Sequence, residues 1–159
     1  METVQDRILV EGPPEQIFDL AQDYDLRLEW DPFLRAMRFL DGAKEAAVGV
    51  RVWVKAWTGL TMTVEYITLD RPRVVAMKML AGPFFFRHFS GSWRFLPHPA
   101  GGTEVIFKYA YEIRWTSATW LMKPAIDAMF RRDLAMRLRG LKRGAEEQGL
   151  LARLGAKLD

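Results

Sequence analysis

This sequence of 159 residues contains few groupings of the side chains that perform chemistry in enzymes. It has no cysteine and two histidines, which excludes thiolate nucleophiles, thiolate metal sites and disulfides and leaves little for a histidine-rich metal centre. No nucleophile–base pair and no phosphate-binding loop is visible, so we expect neither a metal nor a cofactor. The remaining candidates for acid–base chemistry are Tyr66, Tyr109, Tyr111, Arg87 and, although alternation places it outward, His88.

Two charged residues interrupt apolar patterns. Arg87 alternates with phenylalanines, and an arginine inside a cavity would select a carboxylate, a phosphate or a polarised carbonyl. It also lies near the end of a predicted strand, from which it could simply reach water. Asp127 lies in the apolar arc of a predicted helix, four residues from both Lys123 and Arg131, and we prefer to interpret it as one member of an ion pair.

The elements that must position these residues follow from the hydrophobic pattern. The pattern predicts strands near 3–10, 36–40, 50–57, 61–69, 73–80, 84–96 and 103–115, short helices after Pro14 and over 26–30, and one long helix over 117–151. The connections between the strands are too short for helical crossovers, so the sheet is predicted to be an antiparallel meander. No repeat or linker divides the chain, which predicts a single domain over 1–159. Only the last helix is long and apolar enough to cover a curved sheet.

Several short motifs occur in a specific order along the chain. They are Pro13-Pro14-Glu15-Gln16-Ile17-Phe18, Asp23 with Trp30 and Pro32, Gly91-Ser92-Trp93-Arg94-Phe95, Gly101-Gly102-Thr103, and Arg132-Asp133-Leu134 followed by Leu141-Lys142. Together they resemble the START/Bet v 1-like (SRPBCC) superfamily, specifically its bacterial polyketide cyclase/dehydrase and lipid-transport branch. The resemblance implies an α+β helix-grip fold, in which a curved seven-stranded antiparallel sheet wraps around a long C-terminal helix, with two short helices between strands 1 and 2. Its members bind sterols, phospholipids, quinones, hormones or polyketides, and only some are enzymes.

The resemblance also implies a cavity between the sheet and the last helix, and strand alternation predicts what lines it. A register slip or a bulge would exchange inward and outward positions, and ordinary core packing is the alternative for any single aromatic residue. The predicted ligand-binding residues are Tyr66, Phe85, Arg87, Phe89, Trp93, Phe107, Tyr109, Tyr111, Met129 and Phe130.

One end of the predicted sheet collects unusually aromatic turns, and there the resemblance implies that the cavity opens. The predicted mouth residues are Trp57, Leu60, Phe84, Trp115 and Trp120. Three interpretations stay open: an apolar gate with transient membrane contact, aromatic side chains that pack together and seal the end, or a surface for a protein partner.

Composition and charge limit the class of partner. No apolar run approaches the ~20 residues of a spanning helix, and the acidic start is not typical of a signal peptide, so we expect a soluble, cytoplasmic protein. Residues 131–159 hold 8 basic and 4 acidic side chains without interleaved aromatics, which indicates a solvated helix face rather than nucleic-acid binding. We therefore predict a binder or carrier of a hydrophobic small molecule, such as a lipid, a quinone or a polyketide-like compound. A polyketide aromatase/cyclase and a membrane or protein interaction module are the alternatives, and the oligomeric state is not predicted.

Overall fold

A computed structural model describes residues 1–114 and 119–159. Its strands are β1 (Glu2–Val10), β2 (Leu34–Phe39), β3 (Arg51–Ala56), β4 (Thr61–Asp70), β5 (Val74–Ala81), β6 (Phe86–Pro97) and β7 (Thr103–Ile113). Its helices are α1 (Pro14–Gln22), α2 (Tyr24–Trp30), α3 (Thr119–Glu146) and α4 (Leu150–Leu158). The predicted order of elements and the predicted fold class are confirmed. No described helix is long and apolar enough to cross a membrane.

The seven strands form one antiparallel sheet in the order β1-β7-β6-β5-β4-β3-β2. Successive strands from β2 to β7 pair as a meander, and β1 closes the row by pairing with β7. Helix α3 packs on the sheet against β1 and β7. The cavity described below therefore lies between α3 and the concave face of the sheet.

The period-two pattern of β7 is confirmed in the folded chain. Every second residue of this strand, from Thr103 to Ile113, is buried. From the helix side, Phe130, Leu134, Leu138 and Leu141 are buried along one face of α3. Because both elements place their apolar positions toward each other, the core forms along this contact.

The prediction of one helix over 117–151 is wrong at its C-terminal end. Helix α3 ends at Glu146, and α4 begins at Leu150 after Gly149, which has a φ of 67°. A glycine adopts this left-handed conformation without the steric cost that other residues carry, so it can turn the chain between two helices. The separate α4 buries Leu150 and Leu154 against the core.

Helix α2 lies directly on α3 because two glycines of α3 leave room for it. A Cβ atom at Gly140 would lie 2.3 Å from the backbone oxygen of Trp30, and a Cβ at Gly144 would lie 2.9 Å from the Cβ of Trp30. The N-terminus of α2 is capped by the Asp23 carboxylate, which accepts a hydrogen bond from the Leu26 N–H at 3.0 Å. This close approach brings the C-terminal end of α2 to the inner end of the cavity.

Candidate ligand-binding cavity

The concave face of the sheet and α3 enclose a predominantly apolar cavity of about 210 Å³. The predicted lining residues that contribute to its wall are Phe85, Phe89, Trp93, Phe107, Tyr109, Met129 and Phe130. Of the predicted mouth residues, Trp57 and Leu60 belong to the wall, and both are exposed. The cavity therefore reaches the aromatic end of the sheet, and its opposite, inner end meets α2.

The inward orientation predicted for Arg87 is wrong. The pairing of β6 with β7 contains a bulge between Phe86 and His88, so Phe86 takes the inward position and Arg87 turns outward. The Arg87 side chain is 65% exposed and forms an ion pair with Glu112 at 3.2 Å. It therefore lies on the opposite face of the strand from the cavity.

Tyr66 and Tyr111 are buried but are not part of the cavity wall. The Tyr66 hydroxyl lies 2.6 Å from the Tyr24 hydroxyl and 3.2 Å from Oε1 of Gln22. The Tyr111 hydroxyl donates a hydrogen bond to Asp127. Both side chains are thus fixed by partners within the protein and do not present their hydroxyls to the cavity.

Asp127 forms the ion pair preferred from the sequence. Its Oδ2 atom lies 2.8 Å from Nζ of Lys123. The spacing of four residues places both side chains on one face of α3, where such pairs form. With Tyr111 as a second partner, Asp127 has a structural explanation and needs no ligand.

Of the remaining mouth residues, Phe84 and Trp120 are not part of the cavity wall. Phe84 is 86% exposed and Trp120 is 68% exposed, while Trp115 lies outside the described residues. Trp57 is itself 57% exposed although it contributes to the wall. Trp57 and Trp120 therefore both remain in contact with solvent, and the interpretation that aromatic side chains pack together and seal this end stays a prediction.

The inner end of the cavity holds a buried ionic cluster that the sequence did not predict. The Asp31 carboxylate, at the C-terminal end of α2, accepts hydrogen bonds from two arginines through the same oxygen, Oδ2. Nε of Arg27 lies 3.3 Å from this oxygen, and Nη2 of Arg137 lies 2.8 Å from it. Both guanidinium groups border the cavity, whereas Asp31 lies behind them.

Arg137 joins the ionic cluster to the aromatic wall. Its guanidinium carbon lies 4.8 Å from the ring centre of Phe33 and 4.9 Å from that of Phe107. Burial opposes its charge, but Asp31 and Tyr109 outweigh burial and raise the pKa of Arg137. The guanidinium therefore stays charged within the apolar wall.

The hydroxyl of Tyr109 is a donor at this inner end. It accepts a hydrogen bond from Nη1 of Arg137 at 2.6 Å. Burial raises the pKa of Tyr109 to about 12, so the phenol keeps its proton. That proton has no acceptor among residues 1–114 and 119–159, so it remains able to donate into the cavity.

Asp133 and Gln22 are two further polar groups of the wall with unused hydrogen-bonding capacity. Asp133 precedes Arg137 by one helical turn and makes no hydrogen bond or ion pair within the described part of the chain. Burial raises the pKa of its carboxyl group. Nε2 of Gln22 is buried without a partner in the residues that the structure describes. In the sequence, Asp133 stands out only as part of the motif Arg132-Asp133-Leu134, and its four-residue spacing to Arg137 was the available signal that the two side chains share one face of the helix.

Comparison with known proteins places this architecture in a family. The sequence profile for "polyketide cyclase / dehydrase and lipid transport" matches residues 1–146. The chain belongs to this family. No curated protein matches the sequence.

Solved structures of similar fold extend over nearly the whole chain. TTHA0849 from Thermus thermophilus is 20% identical with a TM-score of 0.77, and the match covers 91% of this chain and 97% of that chain. XoxI from Bacillus cereus is 13% identical with a TM-score of 0.75, covering 93% and 98%. The Zhui aromatase/cyclase from Streptomyces sp. R1128 is 17% identical with a TM-score of 0.73, covering 99% and 96%. At these identities the likeness shows the fold alone.

Proposed function

We propose that this protein binds a hydrophobic small molecule, such as a lipid, a quinone or a polyketide-like compound, between the sheet and α3. The observation that carries the proposal is the apolar cavity of about 210 Å³. At ~24 cal/mol per Å³, leaving such a volume empty would cost about 5 kcal/mol. A domain is stable by roughly 5–15 kcal/mol, so an occupant that offsets this cost is expected.

The dimensions of the cavity restrict the ligand. Ligand pockets commonly measure ~300–1,000 Å³, and this one is smaller. It accommodates a compact ligand, or one end of a longer ligand whose remainder extends past Trp57 and Leu60. The family description, which includes lipid transport, and the aromatase/cyclase among the structural neighbours both support ligands of this class.

Gly91 offers a direct test of where the ligand binds. A Cβ at this position would lie 3.6 Å from the Tyr109 ring and 3.7 Å from the Phe107 ring, so the larger side chain of Gly91→Leu would extend into the cavity. Gly155→Leu is the matched control, because a Cβ there meets no atom within 4 Å.

The probe is the neutral dye N-phenyl-1-naphthylamine, whose fluorescence rises in apolar surroundings. We expect the wild-type protein and Gly155→Leu to bind one equivalent, and Gly91→Leu to bind at least about tenfold more weakly because the filled space excludes the dye. Equal binding by all three proteins, or no binding by any, contradicts the proposal.

A second candidate function is an enzyme of the cyclase type, and Tyr109 is the observation that favours it. A phenol polarised by Arg137 can donate to a developing oxyanion, and the Asp133 carboxylate in the same wall can accept a proton. The test is turnover of a poly-β-keto thioester analogue. Turnover that is lost in Tyr109→Phe while dye binding is retained would support the enzyme; absence of turnover in the wild-type protein would contradict it.

A further inference from the structure

Beside Arg137, the inner end of the cavity exposes an acceptor and a donor that no described residue satisfies. The acceptor is the carboxylate of Asp133, and the donor is the O–H of Tyr109, whose oxygen already accepts from Arg137. Asp133 and Arg137 are four residues apart on α3, which brings their side chains to the same face of the helix. Both unsatisfied groups therefore lie beside the same guanidinium.

The charges at this end are already balanced. The positive charges of Arg27 and Arg137 face the negative charges of Asp31 and Asp133. A ligand carboxylate would meet Asp133 while both guanidinium groups are held by Asp31, and a ligand ammonium would add a third positive charge. Either would leave one uncompensated charge in an apolar enclosure, which is strongly unfavourable.

A hydroxyl group fits these constraints, because it is uncharged and can donate and accept at once. We propose that the cavity selects an uncharged ligand with a hydroxyl group at its inner end, which donates a hydrogen bond to the Asp133 carboxylate and accepts one from Tyr109. This inference rests on the proposed binding function and specifies the ligand class. The aromatic side chains Phe89, Phe107 and Phe130 then surround the ligand's apolar body.

Two probes isolate the contribution of the hydroxyl group. 2-Naphthol and 2-methylnaphthalene share one ring system and differ in having a hydroxyl or a methyl group at the same carbon. Each is titrated against bound N-phenyl-1-naphthylamine, and the ratio of the two dissociation constants is the quantity compared between proteins. The carboxylate 2-naphthoate is the third probe, with the same rings and a negative charge.

We expect Asp133→Leu to reduce the preference for 2-naphthol over 2-methylnaphthalene by about tenfold or more, the usual effect of losing a hydrogen bond to a charged acceptor. Asp133→Asn, which keeps the shape of the side chain, should reduce it less. Asp6→Leu removes an exposed carboxylate on β1 and should leave the ratio unchanged. 2-Naphthoate should bind the wild-type protein more weakly than 2-naphthol does. Its affinity should increase in Asp133→Leu, which lacks the repelling carboxylate.

The outcomes separate this inference from the proposed function. If the probes displace the dye but neither Asp133 variant alters the ratio, or if the wild-type protein prefers 2-naphthoate, hydroxyl recognition is overturned while cavity binding stands. If neither the dye nor any probe binds the wild-type protein, the binding function fails and this inference fails with it.

Discussion

Asp31 is the residue on which the inner wall of the cavity depends. Its carboxylate is fully buried and is the shared partner of Arg27 and Arg137, which are themselves almost fully buried. Removing a buried charge is costly mainly because its partners remain charged without compensation. Asp31 therefore fixes the position of both guanidinium groups that border the cavity.

Asp31→Asn should lower the free energy of unfolding by about 3–5 kcal/mol, because two guanidinium groups then lack a buried counter-charge. Denaturant unfolding followed by circular dichroism measures this. Asp70→Asn is the matched control: its ion pair with Arg73 is exposed, so its loss should cost much less than the loss of Asp31. A similar small loss for both variants would show that the buried cluster is not structural.

The stability of Asp133→Asn relative to the wild-type protein should increase as the pH rises. Burial raises the pKa of Asp133 from its ordinary value of 3.8, so the ionised form is disfavoured by folding. The native state then binds more protons than the unfolded state, and the wild-type protein loses stability as the pH rises from 3.8 through the raised value.

The asparagine variant does not titrate, so its relative gain in stability should be absent at acid pH and present at pH 7. The side chain is partly exposed, and solvent screening limits the gain to less than about 1 kcal/mol. Unfolding curves of both proteins across this pH range measure the gain. An advantage of equal size at all pH values would contradict burial of the carboxylate as its cause.

At the scale of the elements, the contact between α2 and α3 determines the relative positions of the charged residues at the inner end of the cavity. The Trp30 backbone approaches Gly140 so closely that no other residue fits without displacement. Arg27 and Asp31 lie on or next to α2, and Arg137 lies on α3. The distance between the two helices therefore sets the distances within the ionic cluster.

Gly140→Ala should lower the free energy of unfolding by about 1–3 kcal/mol, since the added methyl group would meet the Trp30 backbone oxygen at 2.3 Å. Gly155→Ala is the control in α4, where the added Cβ meets open space and should stabilise the helix by about 0.5–1 kcal/mol. Thermal unfolding distinguishes the two. An equal gain in both variants would contradict the close packing of α2 on α3.

Sequence reasoning succeeded where a single element determines its own pattern. The alternation of β7 and the apolar face of α3 are local properties, and both correctly identified Phe107, Tyr109 and Phe130 as wall residues. It failed where the orientation or the partner of a side chain depends on residues that are distant in the sequence. The bulge that turns Arg87 outward depends on the pairing with β7, and the ion pair between Asp31 and Arg137 joins residues 106 positions apart. Neither leaves a periodic signal in the sequence.

At the scale of the whole molecule, the exposed aromatic side chains near the mouth suggest a route by which the proposed hydrophobic ligand enters the cavity from a membrane. Phe84 and Trp57 are exposed at the end of the sheet where the cavity reaches the surface. If the mouth contacts membranes transiently, which is one of the three interpretations that the sequence leaves open, Phe84→Ser with Trp57→Ser should reduce co-sedimentation with liposomes by several-fold, because apolar area is lost. Leu158→Ser, at the exposed end of α4, is the control. Unchanged sedimentation of the double variant would contradict membrane contact.

Native mass spectrometry of the protein, purified gently from its own cells, tests the central claim most directly. The account predicts a mass above 18.4 kDa for the wild-type protein, with the excess released on denaturation and absent in Gly91→Leu. The released compound should be hydrophobic. A wild-type protein that stays at 18.4 kDa even after incubation with a hydrophobic cell extract would contradict cavity binding, as would an excess that Gly91→Leu retains.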